Sequence, residues 1–552
     1  MGSTHSGYIN RTFIQLGALN FAIALAIIMS SLLSKWEVCI GLEIHAQIQS
    51  LSKLFSGASA ASKAALVPNS RVSFFDAALP GTLPAVNRAC VAQAVRTAHA
   101  LQSDVQLQSV FERKHYFYCD LPLGYQITQQ RAPIASNGVL KFHVKKVDVN
   151  AGADVRNTNF ATRKEKNAAL KAASSAAATE EWIEKQVRIN RIQIEQDSGK
   201  SLHTLDATHV DLNRAGTGLM EIVFEPDLRS AAEAGQVLRE VQHLLRHIGT
   251  CDGNMEDGSM RCDLNVSVRP KTDDDSAPFG ERVEVKNMNS IRNLMRAVEY
   301  EMGRQVEHIQ ATGTPIEKET RTFDAVTGMT KRMRTKEGAK DYRFFPEPDL
   351  PPLVISPDFV EDAKLSLPEL PDAMKTRLAR DYGLTAYESA VLVHTPHAVD
   401  YFEHVARGRP HKLVANWVLN DLFSLLKATN TDIAQSPLTP ARLGAVVDMI
   451  VAETISGKIA KDLIQHLFYE DDMRSPADIV DANGWKQITD DATIEAYCDG
   501  VVANPTNAKN VAAYRGGKAQ LFGFFVGQVM KESNGRVHPE KVNAILRALL
   551  DE

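Results

Sequence analysis

Apolar and polar residues alternate strictly along the segment WEVCIGLEIHAQIQ, which spans residues 36–49. Alternation with a period of two predicts a β-strand with one buried face. The apolar face holds Val38, Ile40, Leu42, Ile44 and Ile48. The same alternation recurs in four later segments, at residues 191–197, 218–227, 261–269 and 282–287. One-sided strands of this kind predict a mainly antiparallel sheet that packs one face on a core.

The opposite faces of these strands carry many carboxylates. They are Glu43, Glu195, Asp197, Glu221, Glu225, Asp263 and Glu284. Acidic residues are usually depleted from strand surfaces, and clustered carboxylates repel one another unless cations offset their charge. Two interpretations follow: an ordinary solvent-facing surface, or a functional face that gathers cations.

Helical patterns accompany the strands in the first part of the chain. Residues 90–103, 229–248 and 291–309 repeat apolar positions with a helical period, so we predict an α+β domain over residues 36–355. Inside it, residues 163–185 (RKEKNAALKAASSAAATEEWIEK) are rich in Ala, Ser, Lys and Glu. This composition predicts an inserted surface helix or a disordered loop.

A proline-rich border at residues 346–357 separates this domain from a region with only helical patterns. Thr439 and Pro440 match the N-cap and first position of a helix. We predict a helical domain over residues 356–430 and a helical tail domain over residues 431–552.

Composition narrows the class of protein. The chain of 552 residues is 44% hydrophobic and 23% charged, which is typical of soluble globular proteins. Its net charge of −5 argues against a strongly basic nucleic-acid coat, although a local basic patch is compatible with it. Six cysteines without a C-x-x-C pair indicate neither a disulfide framework nor a zinc ribbon, and they fit a reducing compartment.

One apolar run departs from this average composition. Leu16–Leu33 (LGALNFAIALAIIMSSLL) has 18 residues, which is the lower limit for spanning a bilayer. It fits three interpretations: a signal h-region, a membrane anchor, or part of an organelle-targeting extension.

The polar strand faces offer candidate metal ligands. Glu43 and His45 are two residues apart on one strand, so their side chains share a face, although such a pair alone is more often structural. With Glu195 and Asp263 on similar faces, the pattern favours Mg²⁺ or Mn²⁺, which accompany nucleotide phosphates. Candidate cations for phosphate oxygens, each also explained as ordinary surface charge, are Lys114, Arg261, Lys286 and Arg334.

Familiar nucleotide motifs are missing from the sequence. Residues 197–201 (DSGKS) lack the upstream glycine of a Walker loop, and no G-x-S-x-G or H-E-x-x-H occurs. In the tail, residues 514–518 (YRGGK) precede an apolar helical segment. A Gly-Gly turn at a helix start can offer N–H groups to a phosphate, and the alternative is a simple capping turn.

Long motifs in this order resemble the B subunit of glutamyl-tRNA(Gln)/aspartyl-tRNA(Asn) amidotransferase, the GatB family, from about residue 36 onward. Among them are GLEIHAQIQSLSKLF (41–55), RKHYFYCDLPLGYQIT (113–128), DLNRAGTGLMEIVFEPD (211–227), MEDGSMRCDLNVSVR (255–269) and KDYRFFPEPDLPPL (340–353). The resemblance implies a glutamine-synthetase-like cradle domain, a helical domain, and a YqeY-like helical tail that binds tRNA.

The resemblance also implies an activity and partners. With ATP and Mg²⁺, and without zinc, such a protein activates the side-chain carboxylate of misacylated Glu-tRNA(Gln) as an acyl phosphate. Ammonia from a glutaminase A subunit reaches the cradle through a channel and gives Gln-tRNA(Gln). A small third subunit, C-type or fungal F-type, completes the complex. The alternative function is a non-catalytic tRNA-binding scaffold subunit of the same complex.

Roles transfer to matching residues only as implications of the resemblance. The implied catalytic residues are Glu43, His45, Glu195, Lys114 and Tyr116. The implied metal ligands are Glu43, His45 and Glu195, with Glu256 and Asp263 for a second or transient ion. Tyr342 is implied at the channel mouth. The implied tRNA contacts are Arg515, Gly516, Lys518 and Phe522.

The sequence departs from the bacterial family pattern in several places. The cysteines of its zinc site are replaced in FSGAS (55–59) and FFDAALPG (74–81), and Gln193 and Gln196 replace His and Glu. These changes resemble organellar members of the family. Residues 1–35 lie outside the resemblance, which favours a mitochondrial matrix-targeting extension and no stable membrane span in the mature chain. A misassigned start codon or exon is the alternative.

Overall fold

The computed structural model describes residues 35–60, 67–145, 182–272, 274, 277–335, 342–470 and 472–551. The chain divides after Leu370 into two compact units. The proposed targeting extension lies outside the described residues except for Lys35, and so does most of the predicted insertion. The last four residues of that insertion, 182–185, correct the prediction, because they form the start of a strand rather than a helix or loop.

The described part of the first unit contains sixteen strands. They are β1 (Trp36–Gln47), β2 (Asp104–Val105), β3 (Gln108–Ser109), β4 (Glu112–His115), β5 (Tyr125–Thr128), β6 (Ala135–Lys145), β7 (Trp182–Gln196), β8 (Lys200–His203), β9 (Thr208–Asp211), β10 (Gly218–Phe224), β11 (Met260–Pro270), β12 (Val283–Met288), β13 (Glu319–Asp324), β14 (Met329–Thr335), β15 (Phe345–Pro346) and β16 (Leu353–Val354).

Nine of these strands form one sheet in the order β14-β13-β12-β11-β1-β10-β7-β6-β2. All neighbours are antiparallel except β12 and β13. The five strands predicted from alternation are β1, β7, β10, β11 and β12, and they are adjacent at the centre of the sheet. The predicted α+β class with a mainly antiparallel sheet is confirmed.

Helices cover the apolar face of this sheet. They are α1 (Arg88–Ala100), α2 (Ala231–His247) and α3 (Ile291–Thr312), and a fourth helix, α4 (Pro357–Leu365), packs on α1. Ser230 and Ser290 cap α2 and α3 by accepting a backbone N–H three residues on. Ile40, Leu42 and Ile44 of β1 are fully buried in the core beneath. Each such side chain contributes about 1.5–3 kcal/mol of burial free energy, so the sheet presents only its polar face outward.

The second unit is helical throughout its described residues. Its helices are α5 (Pro371–Tyr382), α6 (Ala386–His394), α7 (Ala398–Ala406), α8 (His411–Asn416), a π-helix (Trp417–Leu422), α9 (Phe423–Thr429), α10 (Pro440–Val451), α11 (Gly457–Tyr469), α12 (Pro476–Ala482), α13 (Asp491–Ala503), α14 (Ala508–Arg515), α15 (Phe522–Glu532) and α16 (Pro539–Asp551), with short 3₁₀ turns at Ile433–Gln435, Pro505–Asn507 and Ala519–Leu521. Thr439 caps α10 and Pro440 is its first residue, as predicted.

Two hydrophobic cores organise the second unit. One gathers residues between Leu378 and Val480, and the other gathers residues between Ile494 and Leu550. The predicted border at 430/431 falls within the first of these cores, and α4, beyond the predicted border at 355/356, packs on the first unit through Ala363. The borders at 355/356 and 430/431 stay predictions, because a core that crosses a border does not by itself define a domain. Among the described residues, no helix is both long and apolar enough to cross a membrane.

Candidate metal centre

The central strand β1 places two potential ligands on the polar face of the sheet. Glu43 lies opposite Asp263 of β11, and His45 lies opposite Glu221 of β10. Strand β7 pairs with the other side of β10, where it brings Glu195 to the same face. Because antiparallel pairing sets these registers, five adjacent strands converge their acidic side chains without help from loops.

The first group consists of His45, Glu195 and Glu221, whose ligand atoms all lie within 4.8 Å of one another. His45 Nε2 is 3.7 Å from Glu195 Oε1 and 3.9 Å from Glu221 Oε2. Burial, with a further contribution from the neighbouring Glu221 charge, raises the pKa of Glu195 to about 7. Burial also opposes ionisation of Glu221, but His45, Lys114 and Arg191 lower its pKa overall. The group therefore favours a bound cation, which would relieve both carboxylates.

The second group consists of Glu43, Asp263 and Glu284, with ligand atoms equally close. Lys286 Nζ lies 2.7 Å from Asp263 Oδ2 and 2.9 Å from Glu284 Oε1. Asn265 Nδ2 donates to Glu43 Oε1 over 3.0 Å. Burial and the charges of Glu221 and Asp263 raise the pKa of Glu43. The Lys286 ammonium thus offsets part of the negative charge of the three carboxylates.

The donor sets fit a hard divalent cation. Each group offers carboxylate oxygens, with one imidazole in the first group, and this combination suits Mg²⁺ or Mn²⁺. Two buried atoms on this face, His45 Nδ1 and Asn265 Oδ1, have no hydrogen-bond partner among the described residues. Buried polar atoms are usually paired, so these two mark a face arranged for a ligand rather than for protein contacts alone.

Comparison with known proteins identifies the family of this chain. Residues 38–361 match the family described as the GatB/GatE catalytic domain, and residues 400–550 match the GatB domain. The chain belongs to the GatB family. This membership confirms the resemblance read from the motifs, and it implies the use of ATP.

Relatives of this GatB-family chain match along almost their whole length. It is 58% identical to the mitochondrial B subunit of glutamyl-tRNA(Gln) amidotransferase from Phytophthora infestans, over 94% of this chain and 95% of the relative. It is 47% identical to the B subunit of aspartyl/glutamyl-tRNA(Asn/Gln) amidotransferase from Acidiphilium cryptum, over 94% and 97%. The same figure of 47% applies to the protein of that name from Bartonella tribocorum, over 95% and 97%.

Sequence reasoning found four of the six residues in the two groups. Glu43, His45, Glu195 and Asp263 were predicted, whereas Glu221 and Glu284 were noted only as polar-face carboxylates. Glu221 lies opposite His45 and Glu284 lies opposite Asn265 in the strand register, and this pairing, which the sequence alone does not show, would have identified them. The predicted ligand Glu256 belongs to neither group, because it is exposed in the turn that precedes β11 rather than on the sheet face.

Lys114 and Tyr116 lie beside the first group, as the motif predicted. Lys114 Nζ is 5.8 Å from the ring centre of Tyr116 and 5.3 Å from that of Tyr342. The two rings meet edge to face, 6.3 Å apart. Burial, together with the charge of Glu195, raises the pKa of Tyr116, so this phenol stays neutral. The structure therefore brings the predicted channel residue Tyr342 next to the predicted pocket residue Tyr116, with the Lys114 ammonium near both rings.

Arg261 and Asp197 form an ion pair at the edge of the first group. Arg261 Nη2 donates to Asp197 Oδ1 over 2.8 Å, and Gln47 Nε2 donates to Asp197 Oδ2 over 3.1 Å. Burial would raise the pKa of Asp197, but the charges of Arg261 and Arg214 lower it overall. The other two predicted cations differ: Lys286 is paired in the second group, and the side chain of Arg334 lies outside the described residues.

The structure distinguishes between the two interpretations of the turn at residues 514–518. The backbone N–H groups of Gly516, Gly517 and Lys518 donate to the carbonyls of Ala512, Tyr514 and Ala513 respectively. The turn thus caps the end of α14, and its N–H groups are not directed to an outside phosphate. Of the two interpretations made from the sequence, this result favours the capping turn over the phosphate site.

The predicted tRNA contacts divide into two kinds. Arg515 donates to the carbonyls of Leu549 and Leu550 at the end of α16, and Phe522 packs against Tyr514 and Arg547. Gly516 and Lys518 are exposed. A cavity of about 430 Å³ adjoins this turn and is lined by Tyr514, Arg515, Gly517, Ala519, Leu550 and Asp551.

Proposed function

We propose that this chain is the transamidase component of a glutamyl-tRNA(Gln) amidotransferase, a carbon–nitrogen ligase that takes its amide nitrogen from glutamine. It phosphorylates the side-chain carboxylate of misacylated Glu-tRNA(Gln) with ATP, and ammonia converts the product into Gln-tRNA(Gln). The observation that carries this proposal is the pair of acidic groups on one sheet face. The names of the relatives, which are components of such enzymes, support it.

The two steps follow from the chemistry of carboxylates. A carboxylate resists attack by ammonia because it has no good leaving group. Its oxygen attacks the γ-phosphorus of ATP, the bond to ADP breaks, and an acyl phosphate forms. The lone pair of ammonia then attacks the acyl carbon, the bond to the phosphate oxygen breaks, phosphate leaves, and the nitrogen loses a proton.

The acidic groups would hold the metal ions that phosphoryl transfer requires. We assign one Mg²⁺ to His45, Glu195 and Glu221, and another to Glu43, Asp263 and Glu284. When bound, these ions neutralise the phosphate oxygens and stabilise the charge that develops during transfer.

Lys114 and its aromatic neighbours complete the pocket. The ammonium of Lys114, held between the rings of Tyr116 and Tyr342, places a positive charge next to the first group. The rings limit the access of water, which would hydrolyse an acyl phosphate. Tyr342 stands at the mouth of the ammonia channel.

Other parts of the reaction depend on partners. Ammonia comes from a glutaminase A subunit, and a small third subunit, C-type or fungal F-type, completes the complex. The tail, residues 431–552, binds the misacylated tRNA through the surface around Gly516 and Lys518, with Arg515 and Phe522 supporting it. The mitochondrial relative supports a mitochondrial location, which we place in the matrix.

Single substitutions in the reconstituted complex test the proposal. Glu43→Ala and Glu195→Ala should each abolish conversion of Glu-tRNA(Gln), measured with radiolabelled glutamate, while glutamine hydrolysis by the A subunit continues. Glu225→Ala is the matched control and should retain conversion, because Glu225 lies just beyond β10 and accepts a hydrogen bond from Asn190. Wild-type conversion in both site variants would refute the metal assignment. Binding of tRNA without conversion by the wild-type complex would favour the scaffold alternative.

A further inference from the structure

Gln193 lies next to the first acidic group but is not one of its three potential metal ligands. It is opposite Glu221 in the β7–β10 register, and only 2% of its surface is exposed. Its Nε2 donates to Glu221 Oε2 over 2.6 Å and to Thr128 Oγ1 over 3.1 Å. Both N–H donors of this amide are therefore used on the acidic side.

The second of these contacts continues to the other carboxylate. The Thr128 hydroxyl, which is also buried, donates to Glu195 Oε2 over 3.3 Å. One neutral amide thus reaches Glu221 directly and Glu195 through one hydroxyl. It stabilises two neighbouring anions without adding a positive charge that would compete with a metal ion.

Arg191 determines which way the amide faces. Its Nε donates to Gln193 Oε1 over 2.9 Å. If the amide were reversed, its carbonyl would face the Glu221 carboxylate and its NH₂ would face the guanidinium, so both contacts would become repulsive. Arg191 therefore locks the amide in the orientation that donates to the acids.

We propose that Arg191, Gln193 and Thr128 form a positioning relay that orients Glu221 and Glu195 for a divalent cation. The proposal rests on the metal centre of the proposed function and adds the residues that prepare it. Ligating carboxylates are commonly fixed by such outer hydrogen bonds, and loss of one costs about 10- to 100-fold in metal affinity.

Mn²⁺ binding to the purified full chain, followed by the electron paramagnetic resonance signal of free Mn²⁺, tests the relay without tRNA or ATP. Gln193→Leu should weaken binding by about 10- to 100-fold and alter the spectrum of bound Mn²⁺. Gln193→His, which restores a neutral N–H donor, should recover most of the affinity. Arg191→Met and Thr128→Val should show smaller losses in the same direction.

Arg188→Met is the matched control, because Arg188 is on the same strand but forms an exposed ion pair with Asp227. It should bind Mn²⁺ like the wild type. Equal weakening by this control would overturn the relay, and so would wild-type affinity in Gln193→Leu or Thr128→Val. Thr128→Val removes only a hydroxyl, so it tests the relay even if Gln193→Leu fails to fold. A wild-type chain that binds no Mn²⁺ would instead refute the metal centre itself.

Discussion

Replacing Lys53 by methionine removes the cation from a fully buried ion pair and leaves its partner charged. Lys53 Nζ is 3.0 Å from Asp76 Oδ2, and the side chains are 0% and 1% exposed. Asp76 also accepts from Ser56 Oγ and from the backbone N–H of Ser73. The pair joins the two loops that carry the segments 55–59 and 74–81. An isolated buried carboxylate is costly, so Lys53→Met should destabilise the first unit.

The size of the effect follows from the environment of Asp76. Breaking one half of a buried ion pair costs about 3–5 kcal/mol. A Cβ at Gly216 would lie only 2.5 Å from Asp76 Oδ1, so the backbone leaves little room for the carboxylate to relax. With an unfolding entropy of roughly 2.1 cal/mol/K per residue over about 300 residues, this cost lowers the Tm by about 5–8 °C.

Scanning calorimetry of the full chain at one scan rate measures this shift. The double variant Lys53→Met/Asp76→Asn removes both charges and keeps an acceptor for Ser56 and Ser73, so it should recover most of the lost Tm. A Tm within about 1 °C of wild type for Lys53→Met would refute the assigned magnitude. A double variant less stable than the single variant would refute the ion-pair explanation.

Three further predictions concern the site and the tail. Mn²⁺ affinity should rise between pH 6 and pH 8, because the Glu195 carboxyl, whose pKa is about 7, must lose its proton to bind. In the metal-free chain the same raised pKa stabilises the fold at low pH, and that stabilisation is lost as the pH rises through 7. Glu195→Gln should flatten the pH dependence of Mn²⁺ affinity and that of stability. An unchanged pH profile in this variant would contradict the assignment of the pKa to Glu195. Lys286→Met removes the ammonium between Asp263 and Glu284, so a second Mn²⁺ should bind more tightly in calorimetric titration; weaker binding would argue against the second group. Lys518→Met should weaken tRNA binding in filter assays and reduce its salt slope by about one, whereas Lys541→Met, whose ammonium is paired with Asp491, should not; equal effects would refute the specific contact.

The centre of the sheet was predictable from sequence for a physical reason. Strands β1, β7 and β11 have one apolar face on the core and one polar face, so apolar and polar residues alternate along their sequences. Short strands such as β2 and β3 have two residues each, too few for any periodicity to show. The helical domain was predicted over residues 356–430 without its internal breaks, such as the one between α6 and α7 at His397, whose φ is +61°.

The candidate site was predictable only as far as single strands reach. Glu43 and His45 are neighbours along β1, so spacing alone places them on one face. Glu221 joins His45 through strand pairing across 176 positions of sequence, and no local pattern reports that register. Arg515 was missed as a structural residue for the same reason, because the carbonyls that it binds lie at the end of α16.

Strand β1 contributes to both acidic groups, Glu43 to one and His45 to the other. Because a strand rises about 3.3–3.4 Å per residue, these two positions are held roughly 7 Å apart by backbone geometry. The spacing between the two acidic groups along this strand is therefore set by the rise of an extended chain rather than by the conformation of loops. Loops at the ends of the strands can lengthen or diverge among lineages without changing that spacing, so the relative placement of the two groups does not depend on the most variable parts of the sequence.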